Sequence, residues 1–207
     1  MEALVIIDVQ NDFCPGGKLA VPGGDEIIPI INSLLPHVKH VIQTQDWHPQ
    51  EHLSFASNHT DTSEYDSIPL SYGDQILWPD HCVQGTAGAE FHPELITNST
   101  QLIVRKGFRK EIDSYSAFFE NDQHTKTGLD GFLKNLGISK LFLCGLATDF
   151  CVKWSALDAI KLGYNVTLIQ DAVRAINLNN SEALAFQEMK EAGISFISSK
   201  DLKASIG

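Results

Sequence analysis

Asp8, Asp46, Lys106 and Cys151 each lie beyond an apolar run: residues 3–7, 40–45, 101–105 and the run that opens at Lys140. Their side chains suit acyl chemistry. A thiolate attacks a carbonyl carbon, a carboxyl moves the proton, and an ammonium holds the anions in place. Short runs rich in Val, Ile and Leu read as strands buried on both faces. In a parallel sheet such strand ends share one edge, where open α/β sheets bind ligands. Residues far apart in the chain are thereby predicted to converge. Thr148 is placed to cap a helix through Val152, Trp154, Leu157 and Ile160, with Cys151 in its first turn. The helix dipole there favours an anion, which predicts a lowered thiol pKa. A buried structural cysteine is the plainer alternative.

Asp46-Trp-His48 adds a second chemistry. The pair brings a carboxylate and an imidazole within reach of one ion if the chain turns there. A third ligand has to come from His52, His59, His81 or His92, with Ser54 as a weak oxygen donor. Three N/O ligands with open positions describe a catalytic metal site, and the set suits zinc, iron or manganese. Histidines that simply hydrogen-bond within a polar loop give the same pattern.

The elements that must position these groups follow from the spacing. Apolar runs at 165–169 and 194–197 bring the strands to six, alternating with helices. One helix starts near Asp25 with Ile27, Ile28, Ile31, Leu34 and Leu35 on its stripe and ends by Pro36. Another covers 181–191. This alternation predicts an α/β fold: three layers, a doubly wound, mainly parallel six-stranded sheet with helices on both faces. Residues 47–100 show no regular pattern. Their aromatics, Trp47, Phe55, Tyr65, Tyr72, Trp78 and Phe91, argue for an ordered functional loop. No linker or repeat interrupts the chain, so residues 1–207 read as a single domain.

Lys plus Arg number 15 and Asp plus Glu 26, so the net charge is 15 − 26 = −11. An acidic chain without a basic cluster argues against nucleic acid and anionic membranes as partners. Met1-Glu2-Ala3 has no basic leader character and no run reaches membrane-spanning length. The expectation is a cytoplasmic protein whose four cysteines, Cys14, Cys82, Cys144 and Cys151, stay reduced. A homo-oligomer is left open.

Five segments share a wider pattern: Ile7-Asp-Val-Gln-Asn-Asp-Phe13, Gln45-Asp-Trp-His-Pro49, Trp78-Pro-Asp-His-Cys-Val-Gln-Gly-Thr86, Ser114-Tyr-Ser-Ala-Phe118 and Gly145-Leu-Ala-Thr-Asp-Phe-Cys-Val152. Together they resemble the nicotinamidases of the isochorismatase-like cysteine hydrolases, over nearly the whole chain. The resemblance implies hydrolysis of nicotinamide, and of pyrazinamide, through a cysteine thioester, with the product entering NAD salvage. It implies a triad of Asp8, Lys106 and Cys151, and an oxyanion hole from the N–H groups of Ala147 and Cys151. It implies one divalent metal on Asp46, His48 and His81, with zinc placed ahead of iron and manganese. Some relatives carry a histidine ligand where this chain has Ser54. Phe13, Leu19, Trp78 and Tyr115 are the implied substrate contacts, and the Leu146–Ala147 peptide is expected to be cis.

Three other readings compete. A sister cysteine amidase would act on another small amide or carbamoyl compound. A dinucleotide-binding oxidoreductase would use Asp46 for a ribose, but Asp8-Val-Gln-Asn-Asp-Phe occupies the place of the glycine-rich turn. A zinc-binding module without catalysis would leave Cys151 unreactive.

Overall fold

All six apolar runs form strands of one sheet. A computed structural model describes residues 1–206. Along the chain come β1 (Glu2–Ile7), α1 (Ile28–Leu34), β2 (Val41–Asp46), β3 (Ser67–Leu70), β4 (Gly73–Ile76), β5 (Leu102–Lys106) and α2 (Leu129–Asn135). These are followed by β6 (Lys140–Leu146), α3 (Lys153–Lys161), β7 (Asn165–Arg174), α4 (Ser181–Glu191), β8 (Ser195–Ile197) and α5 (Ser199–Ile206). The main sheet runs β5-β2-β1-β6-β7-β8, and every neighbouring pair in it is parallel.

β1 shows why the sheet is covered twice. Leu4 and Ile6 belong to one core, together with Ile28, Ile31 and Leu34 of α1 and Leu202 of α5. Ala3, Val5 and Ile7 point into the other, with Leu129 and Leu133 of α2, Ala156 and Ala159 of α3, and Ala185 and Met189 of α4. Alternate side chains leave a strand on opposite faces, so a strand apolar at every position needs a helical layer on each side. The three-layer α/β architecture expected from the sequence is therefore present.

Some local expectations change. The first helix begins as a 3-10 turn at Gly24–Ile27, continues as α1, and ends in a second 3-10 turn at Leu35–His37, which contains Pro36. β7 is twice the expected length, and residues 47–100 contain the antiparallel hairpin β3–β4. Thr148 does not cap a helix. It opens a π-helical turn, Thr148–Val152, that leads into α3, and its buried hydroxyl has no hydrogen-bond partner. Cys151 therefore lies within the π turn rather than the first turn of an α-helix. The Leu146–Ala147 peptide is cis.

Among the described residues no helix is long and apolar enough to cross a membrane. All four cysteines are unpaired and buried.

Candidate active site

The carboxyl ends of β1, β2 and β5 bring Asp8, Asp46 and Lys106 together, and the turn after β6 adds Cys151. Lys106 is the hub. Its Nζ lies 2.8 Å from Asp8 Oδ2 and donates to Asp46 Oδ1 at 3.0 Å, to the Ser114 carbonyl at 2.9 Å and to Cys151 Sγ at 3.4 Å. Lys106 and Asp8 are wholly enclosed. A charge in such a place persists only when paired.

The electrostatics follow from that enclosure. Burial pulls the Lys106 ammonium down, but Asp46 and Asp8 overcome it and hold its pKa well above the ordinary value. Burial pushes Asp46 up, yet His48 and Lys106 hold it well below the usual carboxylate range. Asp8 ends up raised: burial outweighs the attraction of Lys106, and the Asp46 charge adds to the rise. Burial also lifts the Cys151 thiol well above its ordinary value, against the pull of Lys106. The lowered thiol pKa expected from a helix N-terminus is therefore reversed. The π turn buries Sγ beside two carboxylates, and desolvation outweighs the dipole.

The metal residues also converge. His48 Nε2 lies 3.0 Å and His81 Nε2 3.4 Å from Asp46 Oδ2. The ligand atoms of the three lie within 4.8 Å of one another. Backbone carbonyls orient both rings: His48 Nδ1 donates to Gly107 O at 2.8 Å and His81 Nδ1 to Pro79 O at 2.8 Å. Each Nε2 is left to face the carboxylate, the arrangement by which outer partners aim imidazoles at a metal. The donor set thus fits a divalent cation.

The long segment after β2 folds back to deliver His81. The His48 N–H donates to Cys82 O at 3.0 Å, and the Gln84 N–H to His48 O at 2.8 Å. Asp12 Oδ2 accepts from the Cys82 N–H at 2.7 Å and pins the same turn.

The other candidate ligands are engaged elsewhere. His52 Nδ1 meets Ser54 Oγ at 2.7 Å and its Nε2 meets Ile112 O at 3.2 Å. His59 Nε2 donates to Leu53 O, and His92 Nδ1 accepts from the Glu94 N–H. His48, His52 and Asp113 form a second close set. It borrows His48 and uses a His52 already bound at both nitrogens, so the Asp46 set is the better metal site.

Both clusters open into one cavity. Its lining includes all four expected substrate contacts, Phe13, Leu19, Trp78 and Tyr115, and also Ala147, Cys151, Asp46 and His81. Trp78 stands edge-on to Phe150 at 4.8 Å and to Tyr115 at 6.2 Å, and its indole N–H donates to Tyr115 Oη at 3.2 Å. A small space with aromatic walls and a few polar groups suits a single-ring ligand. The sequence reading missed Phe150, Ile176 and Asp113 in this lining. It also missed Gln10, whose side chain accepts from the Asp46 N–H and donates to Asp46 O, each at 2.8 Å. Phe150 was legible one residue before Cys151; nothing marked the others.

Comparison with known proteins agrees with this geometry. The Isochorismatase domain profile matches residues 2–201. A nicotinamidase of Acinetobacter baylyi is 54% identical over 97% of this chain and 94% of its own. A solved nicotinamidase/pyrazinamidase of Acinetobacter baumanii superposes with a TM-score of 0.96 at 53% identity, covering 97% of each chain. A pyrazinamidase of Pyrococcus horikoshii, solved in complex with zinc, superposes with a TM-score of 0.78 at 36% identity, covering 95% of this chain and 98% of that one. With its profile match, its sheet order and its cysteine at the strand-to-helix junction, the chain belongs to the isochorismatase family.

Proposed function

We propose that this protein is a metal-dependent nicotinamidase: residues 1–207 act as one domain that hydrolyses nicotinamide to nicotinic acid and ammonia, and pyrazinamide likewise. The observation that carries the reading is Lys106 Nζ, which touches Asp8, Cys151 and Asp46 at once, the last two of which line an aromatic cavity. The similarity to nicotinamidases over nearly the full chain supports the substrate. The product then serves the salvage of NAD.

Asp8, Lys106 and Cys151 form the triad. Burial lifts both the carboxyl and the thiol, so neither gives up a proton easily to water. They share one proton beside a fixed cation, and its transfer from Sγ to Asp8 leaves a thiolate next to Lys106. The thiolate attacks the amide carbon, and the oxyanion meets the N–H groups of Ala147 and Cys151, each such donor contributing about 3 kcal/mol. As the C–N bond breaks, Asp8 passes the proton to the leaving ammonia and a thioester remains. Asp8 then takes a proton from the incoming water, acid is released, and the proton returns to Sγ.

Phe13, Trp78 and Tyr115 hold the ring, with Leu19 beside it. Asp46, His48 and His81 hold the divalent ion; the zinc-bound relative supports zinc. When bound, such an ion supplies a Lewis acid that fixes a ring nitrogen and polarises water.

The test is ammonia release from nicotinamide and pyrazinamide by the purified protein, before chelation, after it, and after zinc is restored. Activity should fall on chelation and return with zinc. Hydrolysis of another small amide with none of nicotinamide would replace this reading with the sister amidase.

A further inference from the structure

Thr44 lies on β2, two residues before Asp46, and is wholly buried. Its hydroxyl makes two bonds to a single residue. It accepts from the Asp8 N–H at 3.1 Å and donates to Asp8 Oδ1 at 2.6 Å. The β1–β2 register runs only as far as Ile6 and Gln43. Just past it, Asp8 turns out of the strand with a φ of 47°, a left-handed conformation uncommon for a residue with a side chain. Beyond the ladder, the Thr44 hydroxyl takes up the Asp8 N–H and holds the side chain of the same residue.

The two carboxylate oxygens of Asp8 are thereby made unequal. Oδ1 holds the Thr44 proton. Oδ2 pairs with Lys106 Nζ at 2.8 Å, and the same ammonium also reaches Asp46, the Ser114 carbonyl and Cys151. Oδ2 is buried, and no hydroxyl or amide donates to it. It is the carboxylate oxygen that faces the cation, in the same cluster as the thiol.

We propose that Thr44 is a positioning residue for the hydrolysis, occupying Oδ1 so that Oδ2 alone receives the Cys151 proton and returns it to the leaving ammonia. This rests on the reading of Asp8 as the proton carrier. In each half-reaction the S–H or water O–H bond breaks as an O–H bond forms at Oδ2. The electron pair stays on sulfur or on the water oxygen to attack carbon. Thr44 keeps its donation to Oδ1 throughout, because Oδ1 accepts that bond whether Oδ2 carries a proton or not.

The experiment compares metal-loaded wild type, Thr44→Val, Thr44→Ser and Asp8→Asn by steady-state ammonia release, thermal unfolding and metal content. Thr44→Val keeps the shape and removes the hydroxyl. It should lower kcat about 10- to 100-fold, within the range of proton-transfer contributions, and leave KM within about twofold. Thr44→Ser should restore kcat to within about threefold of wild type. A Thr44→Val enzyme with wild-type kcat, or a Thr44→Ser enzyme as slow as Thr44→Val, overturns the proposal. So does a parallel change in kcat and KM.

Should Thr44→Val not fold, Thr44→Cys takes its place, because its thiol is a weaker donor of similar size. A kcat clearly below that of Thr44→Ser is expected, and equality overturns the role. Wild-type turnover in Asp8→Asn would instead remove the underlying assignment of Asp8. A dead Asp8→Asn with an unaffected Thr44→Val removes only the role of Thr44.

Discussion

Asp46 divides its carboxylate among three partners: Oδ1 accepts from Lys106 at 3.0 Å, and Oδ2 faces His48 at 3.0 Å and His81 at 3.4 Å. One carboxylate thus joins the proposed metal site to the proposed triad. Lys106 in turn is a cation set between two buried carboxylates, Asp8 and Asp46. Damage at one cluster should therefore be felt at the other.

Lys106→Met should cost stability as well as turnover. It leaves two buried carboxylates without their cation, a loss of about 3–5 kcal/mol for a broken buried pair. In wild type, Asp46 is held well below the ordinary 3.8. Its contribution is complete above that pH and drains away as pH falls through the depressed folded value. The deficit of Lys106→Met should accordingly narrow toward acid. Urea unfolding of both proteins at several pH values would show it, and a gap independent of pH would contradict it.

Cys151→Ala should abolish turnover, by about 10³-fold or more, with fold and metal content intact. Cys14→Ala, Cys82→Ala and Cys144→Ala should each retain the chemistry. With its thiol held up by burial, the metal-free resting protein should show no thiolate absorbance until pH exceeds the range of an ordinary cysteine. A thiolate signal near neutrality that disappears in Cys151→Ala would refute the direction of this shift.

Asp46→Ala and His81→Ala should both lose the metal, His81→Ala by more than about 100-fold in affinity, beyond what loss of an outer partner costs. His81 also packs against Phe13, with ring centroids 5.4 Å apart. Its removal should raise KM too. His92→Ala and His124→Ala should change neither quantity. Elemental analysis after dialysis decides the matter, and full occupancy in Asp46→Ala or His81→Ala would sink the ligand set.

His52 gives a separate acid sensitivity. Burial, helped by the neighbouring His48, pushes its pKa down from 6.5 to about 4. Below pH 6.5 the unfolded chain takes up a proton there that the folded protein refuses until about pH 4. Stability attributable to His52 is therefore full above pH 6.5 and falls across that window, by about 3 kcal/mol in total. His52→Gln should show a shallower decline between pH 6.5 and 4. Parallel stability curves for the two proteins would exclude His52 as the source.

Strand ends were legible because a run buried on both faces must be apolar and a polar residue must close it. Asp8, Asp46 and Lys106 could be placed on that ground. The order of the strands was not legible, since nothing in β5 states that it pairs with β2. His81 was less accessible still: its place depends on backbone bonds between the His48 and Cys82–Gln84 segments that carry no side-chain signature. The hairpin β3–β4 was hidden because Ser67–Leu70 is largely exposed and contains Pro69. The thiol was misjudged because spacing reveals a helix start but not how completely the turn is enclosed. Gln10 and Thr44 carry no signal of their own in the sequence, because their roles consist of hydrogen bonds to residues far along the chain.

Gly107 is not among the residues lining the cavity, yet it constrains what variation the site can survive. It follows Lys106 directly, has a φ of 64°, and its carbonyl anchors His48. A Cβ added there would come within 2.4 Å of His48 Cε1 and 2.7 Å of its Nδ1. Any larger residue would have to displace a metal-facing imidazole and adopt a strained backbone as well. Inactivating substitutions in this chain therefore extend to a position with no functional group at all, where drift toward even alanine is closed off.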